Sequence, residues 1–188
     1  MSIAQDSAQV LFIGNSYTYS NNLPSMLVDL SASLGDFIEP TTQLAGGATF
    51  QVHATNPSTY TAINNEDWDY VVLQAQSQEP SFADWQVNSQ TLPFAEQLAD
   101  SIKKNSVCSR ILMFMTWGRE NGDPQWLPIS TFDGMNSRLR SAYIRMADSI
   151  DASISPVGVS WKYVRDNYPS IQLYSPDGSH PSAEGSYL

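Results

Sequence analysis

Short apolar runs with no polar interruption recur along this chain, and a stretch with helical spacing follows most of them. The runs "QVLFI" (9–13), "DYVVLQ" (69–74) and "RILMFMT" (110–116) lack the in-out alternation of a sheet with one wet face. Near-continuous apolar strands of this kind belong to parallel sheets covered on both sides. A weaker run over 37–44 and a proline-marked one over 153–157 read as further strands. Between them, "LPSMLVDLSASLG" (23–35) puts Leu23, Met26, Leu27, Leu30 and Leu34 on one helical face, with Gly35 as its C-terminal cap. Residues 92–105 are helical, with Lys103 and Lys104 where the helix dipole favours cations. Residues 131–150 form a long helix capped by Ser130 or Thr131, and 160–168 a short one. No repeat, linker or low-complexity tract interrupts the alternation. The pattern predicts an α/β fold with a parallel sheet of about five strands between helical layers. At 188 residues and 41% hydrophobic content, the chain suits a single domain spanning 1–188, with a core that needs no staples.

In open parallel sheets, ligands bind outside the carboxyl ends of the strands. The residues that leave each strand are therefore the candidates for chemistry. They are Gly14-Asn15-Ser16, "AGGAT" (45–49), "QAQSQEP" (74–80) and "WGRENGD" (117–123), with "DGSHPS" (177–182) near the end.

Together these exits hold the parts that ester hydrolysis needs. A serine oxygen must lose its proton as it attacks, and histidine is the side chain suited to take it. A carboxylate must orient the imidazole, and fixed donors must meet the oxyanion. Ser16 supplies the hydroxyl, His180 the base and Asp177 the orienting carboxylate. The Ser16 N–H, the Gly47 N–H and the Gln76 side chain are the candidate oxyanion donors. Taken one at a time these signals are weak, because Gly-Asn-Ser reads as a turn and Asp-x-x-His as a helix cap. Their order and their placement at strand exits carry the reading. Asn15, Trp117 and Arg119 are the candidate substrate contacts. Trp117 could stack on a sugar face and Arg119 could bind a polar substituent; equally, Trp117 could pack under its loop and Arg119 could pair with an acidic neighbour. Of the two histidines, His53 could line the site but is read as structural. Trp85, Trp126 and Trp161 are read as packing residues.

The blocks "VLFIGNSYT", "LAGGAT", "VVLQAQSQ" and "DGSHPS", in that order, resemble the SGNH/GDSL hydrolase superfamily, in a bacterial form with Gly-Asn-Ser in place of Gly-Asp-Ser. The resemblance runs from Val10 to the last residue. It implies a flavodoxin-like three-layer α/β/α sandwich and a Ser16–His180–Asp177 triad. It also implies an oxyanion hole of Ser16, Gly47 and Gln76, with Gln76 standing where the family usually has asparagine. The activity implied is hydrolysis of small acyl esters, acetyl esters of carbohydrates above all, in a periplasmic or secreted setting. Acyl transfer by the same residues and a non-catalytic glycan-binding module remain alternatives.

Other chemistries lack their signals. There is no G-x-S-x-G elbow and neither phosphate-binding glycine motif. With two histidines and one cysteine, a metal site is not expected, and no cofactor is required. A formal charge of −10 argues against nucleic acid as a partner. No run is long and apolar enough to span a membrane. The lone Cys108 precludes an internal disulfide and reads as a buried thiol. The opening "MSIAQDSAQ" carries no signal pattern. The closing "HPSAEGSYL" reads as the start of a helix, and the natural chain is expected to continue past it.

Overall fold

A computed structural model describes residues 7–188; the reading of the first six as free of a signal pattern lies outside them. The strands are β1 (Ala8–Gly14), β2 (Ile38–Leu44), β3 (Tyr70–Leu73), β4 (Arg110–Phe114) and β5 (Ser153–Ser155). They form one sheet in the order β2-β1-β3-β4-β5, and every neighbouring pair is parallel. The apolar runs take the central places: Leu11, Ile13, Val71 and Leu73 are all buried. Phe12 registers beside Val72 and Ile13 beside Leu73. The weaker run became the edge strand β2, where Pro40 and the polar residues around it are tolerated, since one side of an edge strand has no ladder to complete.

Helices cover both faces. On one side, α3 (Phe50–Thr55), α4 (Pro57–Ile63), α6 (Leu92–Asn105) and α7 (Phe132–Ser149) supply residues to the core around Leu11, Val71, Ile111 and Met113. On the other lie α1 (Ser16–Tyr19), α2 (Leu23–Leu34), α8 (Val157–Asn167) and the short α9 (Ala183–Tyr187). Here Phe12, Val72 and Phe114 meet Tyr17, Trp117 and Trp161. One further short helix, α5 (Asp84–Gln90), follows the β3 exit. The architecture is a three-layer α/β/α sandwich with the strand order of flavodoxin. In that order the chain reverses its direction of travel between β1 and β3. The crevice at their carboxyl ends is where a ligand site is expected.

Local signals placed several elements. Residues 92–105 are helical to the residue, with both lysines in the last turn. Thr131, not Ser130, caps α7, its hydroxyl accepting from the Gly134 N–H at 3.1 Å. Gly35 ends α2 in the left-handed conformation, φ 89°. Other expectations are corrected. The apolar face of α2 is only partly covered: Pro24 alone is buried, Leu23 packs against the cluster around Phe12, Val72 and Phe114, and Leu34 is 75% exposed. A cleft of about 220 Å³ is lined by Leu23, Met26 and Leu30 of α2 and by Phe12, Val72 and Phe114 of the sheet. α8 starts at Val157, before the expected Ser160, because Pro156 stands as its N-cap and ends β5 early. Cys108 is exposed, since it lies in the tight turn between α6 and β4 and not in the strand behind it. Trp161 is a packing residue, but Trp85 is 67% exposed, and Trp126 lies at the surface over the Arg138 guanidinium, 4.7 Å away.

Candidate active site

The site begins with a close approach. β1 ends on Gly14, where an added Cβ would lie 2.7 Å from Gln74 Oε1 and 2.9 Å from Thr18 Oγ1. Only glycine lets the first turn after β1 fold against the buried Gln74 amide. That oxygen accepts from the Asn15 N–H at 2.9 Å and from the Thr18 hydroxyl at 2.9 Å, and the Gln74 amide nitrogen donates to the Ala75 carbonyl. Asn15 caps α1: its Oδ1 accepts from the Tyr17 N–H at 3.1 Å, and its Nδ2 donates to the Ala48 carbonyl at 2.9 Å. The turn after β1 is thereby tied to the exits of both neighbouring strands.

This arrangement corrects the reading of Asn15 as a substrate contact. It is 2% exposed and both ends of its amide are occupied, so its role is to hold the turn. Gln74 and Thr18 were not singled out from sequence. The polar Gln74 directly after a wholly apolar strand was the available signal.

Ser16 is the first residue of α1. Its Oγ lies 2.8 Å from His180 Nε2, and His180 Nδ1 lies 2.5 Å from Asp177 Oδ2. The other Asp177 oxygen accepts from the N–H groups of Ser179 and His180, both at 2.9 Å. Partial burial pushes the Asp177 carboxyl up. The hydrogen bonds from the His180 ring and from those two N–H groups outweigh it and hold the group below its ordinary range. An ionised Asp177 accepts only, so Nδ1 carries the ring proton, and Nε2 is left to accept from the Ser16 hydroxyl. The structure thus brings together three residues from the two ends of the chain.

Gly47 and Gln76 stand on the exits of β2 and β3, either side of β1. Gly47 is exposed, with φ +66°, and its N–H donates to no described residue. Gln76 is anchored by its oxygen, which accepts from the N–H of Gln78 at 2.6 Å and of Glu79 at 3.0 Å. Its amide nitrogen, the opposite corner of the group, has no partner among the described residues. The Ser16 N–H, in the first turn of α1, has no intrahelical acceptor.

Trp117 does not face a substrate. It is fully buried, stacked between Tyr17 at 4.7 Å and Trp161 at 4.0 Å, and its Nε1 donates to the Ser179 carbonyl at 3.1 Å. The packing alternative holds, because the stack sits beneath the loop and shields its apolar area. Arg119 pairs with the buried Asp123, Nη1 to Oδ2 at 2.7 Å, and Gln78 Nε2 donates to that same oxygen. The ion-pair alternative therefore holds for one edge of the guanidinium; the side chain is still 31% exposed.

His53 is buried behind the sheet. Its Nε2 is 2.9 Å from the Gly14 carbonyl and its Nδ1 3.5 Å from Thr59 Oγ1. Burial lowers its pKa, and the bond to Gly14 opposes that only in part. The neutral ring then donates from Nε2. Among the described residues, no cluster of three or more metal-ligating side chains occurs, and no helix is long and apolar enough to cross a membrane.

In sequence, no family model and no curated protein matches the chain. In structure the likeness is broad. A protein of Parabacteroides merdae described as a GDSL-like lipase is 13% identical, with a TM-score of 0.70 over 97% of this chain and 92% of that one. TesA is 14% identical, with a TM-score of 0.66 over 95% and 91%. AlinE4, an SGNH-hydrolase family esterase, is 14% identical, with a TM-score of 0.61 over 96% and 89%. The chain therefore has the three-layer fold of the SGNH and GDSL hydrolases.

Proposed function

We propose that the protein is a serine ester hydrolase, with Ser16 as nucleophile, His180 as general base and Asp177 as the group that orients it. The observation that carries this reading is the unbroken hydrogen-bonded line from Ser16 Oγ through His180 to Asp177, at 2.8 and 2.5 Å. As Ser16 attacks an ester carbonyl, His180 Nε2 takes its proton, and the imidazolium is held by the Asp177 carboxylate. The carbonyl oxygen gains charge, and the N–H groups of Ser16 and Gly47 with the Gln76 amide are its donors. His180 returns the proton to the departing alcohol, leaving an acyl-Ser16 ester. Water activated by His180 then releases the acid.

The substrate is a short acyl ester, acetyl in the first instance, on a bulky alcohol such as a carbohydrate. The exposure of the site supports this: the His180 and Asp177 side chains are 39% and 49% exposed. Such a surface admits a large alcohol portion and gives a long acyl chain little to bury against.

The test is hydrolysis of p-nitrophenyl acetate and of acetylated xylan by wild type and by Ser16→Ala. The variant is expected to lose at least about 10³ in kcat, keeping only what binding and the oxyanion donors supply. Equal rates overturn the proposal in favour of a binding module.

A further inference from the structure

The residue taken as the base rides on a segment that no strand ladder holds. Residues 175–182 fold through turns: Ser175 N–H to the His180 carbonyl at 2.9 Å, Gly178 N–H to the Ser175 carbonyl at 3.0 Å, and the two N–H bonds to Asp177. Their one β-like contact among the described residues is the isolated bridge between Tyr174 and Pro181. Yet the Ser16–His180 contact spans 164 positions of chain and must be kept to a few tenths of an ångström to be useful. Something outside the segment sets its position.

Besides the bonds from Trp117 Nε1 and the Glu120 N–H to the carbonyls of Ser179 and Gly178, two side chains from the nucleophile's own stretch do so, one on each flank of His180. Before it, the Tyr17 hydroxyl shares a 2.6 Å hydrogen bond with Ser179 Oγ. Tyr17 is 2% exposed, its ring lies parallel to Trp117, and it meets the His180 ring edge-on at 5.5 Å. A ring so enclosed has no freedom to swing, so its hydroxyl is a fixed point. After His180, Asn21 Nδ2 reaches the carbonyls of Pro181 at 3.0 Å and Ser182 at 2.9 Å, and Ser186 Oγ at 2.9 Å. Asn21 is held at φ 55°, a left-handed conformation that costs a non-glycine residue of order 1 kcal/mol and persists only when its surroundings impose it.

We propose that Tyr17 and Asn21 are positioning residues for the reaction: the stretch that carries the nucleophile also grips the stretch that carries the base. The separation of Ser16 from His180 is then set by a few covalent bonds on one side and three hydrogen-bonded anchor points on the other. The bonds from the β4 exit at Trp117 and Glu120 steady the same segment. This rests on the roles given above to Ser16 and His180.

Tyr17→Phe keeps the ring and its stack and removes only the hydroxyl. Asn21→Gly keeps the left-handed backbone within easy reach and removes only the amide. Each is expected to lower kcat on p-nitrophenyl acetate by about 10- to 100-fold, with KM and melting temperature close to wild type. Hydrogen exchange should quicken over residues 175–186 and stay unchanged in β1 and β3. Ser179→Ala should match Tyr17→Phe, and the double variant should fall no further. Wild-type kcat in both single variants overturns the proposal, whether or not exchange changes. So does exchange that quickens throughout the molecule in step with a lower melting temperature. If wild type and Ser16→Ala hydrolyse the ester equally, the esterase reading fails by itself. Exchange over 175–186 then decides whether the grip exists.

Discussion

His53 and Gly14 are joined by a 2.9 Å hydrogen bond from a buried imidazole to the carbonyl two residues before Ser16. A helix on the face of the sheet away from α1 thus holds the carboxyl end of β1.

That bond gives the fold an acid-side liability. Burial lowers the His53 pKa below its ordinary value of 6.5, so the folded state keeps the ring neutral while the unfolded chain takes up a proton. Where the unfolded state binds more protons, stability rises with pH. The contribution is therefore complete above pH 6.5 and is lost as the pH falls through the lower folded value. Urea unfolding at pH 7.5 and 5.5 should show a smaller acid-side loss in His53→Gln than in wild type. An equal loss in the two would show that His53 is not the titrating group.

Gly14→Ala tests the close approach at the β1 exit. Replacing glycine by alanine at a compatible site stabilises by about 0.4–1 kcal/mol through the unfolded chain. Here the new methyl would sit 2.7 Å from Gln74 Oε1, on a buried side chain that is itself hydrogen-bonded. Overpacking of that kind costs roughly 1–3 kcal/mol and should win. The variant is expected to be less stable in a denaturant titration. It should also lose more than tenfold in kcat, as the Asn15–Ser16 turn is displaced. A variant as stable as wild type would show that Gln74 can retreat.

Gln76 has two separable duties. Its oxygen holds the N–H groups of Gln78 and Glu79, and its nitrogen is the candidate oxyanion donor. Gln76→Glu keeps an accepting oxygen and deletes the donor. It should lower kcat by about 10²–10³ with little change in melting temperature, the size expected for one lost donor. Wild-type turnover in this variant would remove Gln76 from the oxyanion hole.

What was legible in the sequence was legible because its cause is local. The runs around Leu11–Ile13, Val71–Leu73 and Ile111–Met113 have no polar face, and they became the central strands. The lysine-tipped helix 92–105 and the Thr131 cap follow from bonds within a turn or two. At α2 the spacing gave the helix and its Gly35 cap, while its apolar stripe is only partly covered. Periodicity says which face is apolar and not what will cover it. Position after a strand suggested substrate contact for Asn15, and for Trp117 and Arg119 left it even with packing under the loop and pairing with an acidic neighbour. Two of them turned out to be buried structural members and the third an ion-pair partner.

By itself the sequence determined the strand-and-helix alternation, the parallel class of the sheet and the short list of polar residues able to stand at its rim. These depend on periodicity, glycine placement and side-chain chemistry within a few residues. Only the tertiary structure decided which of those polar groups are spent on holding the turn and which are left to react. Asn15 meets Gln74 across 59 positions and Ser16 meets His180 across 164. A hydrogen bond over such a span exists only once the sheet has brought its two ends together, and no spacing in the chain records it.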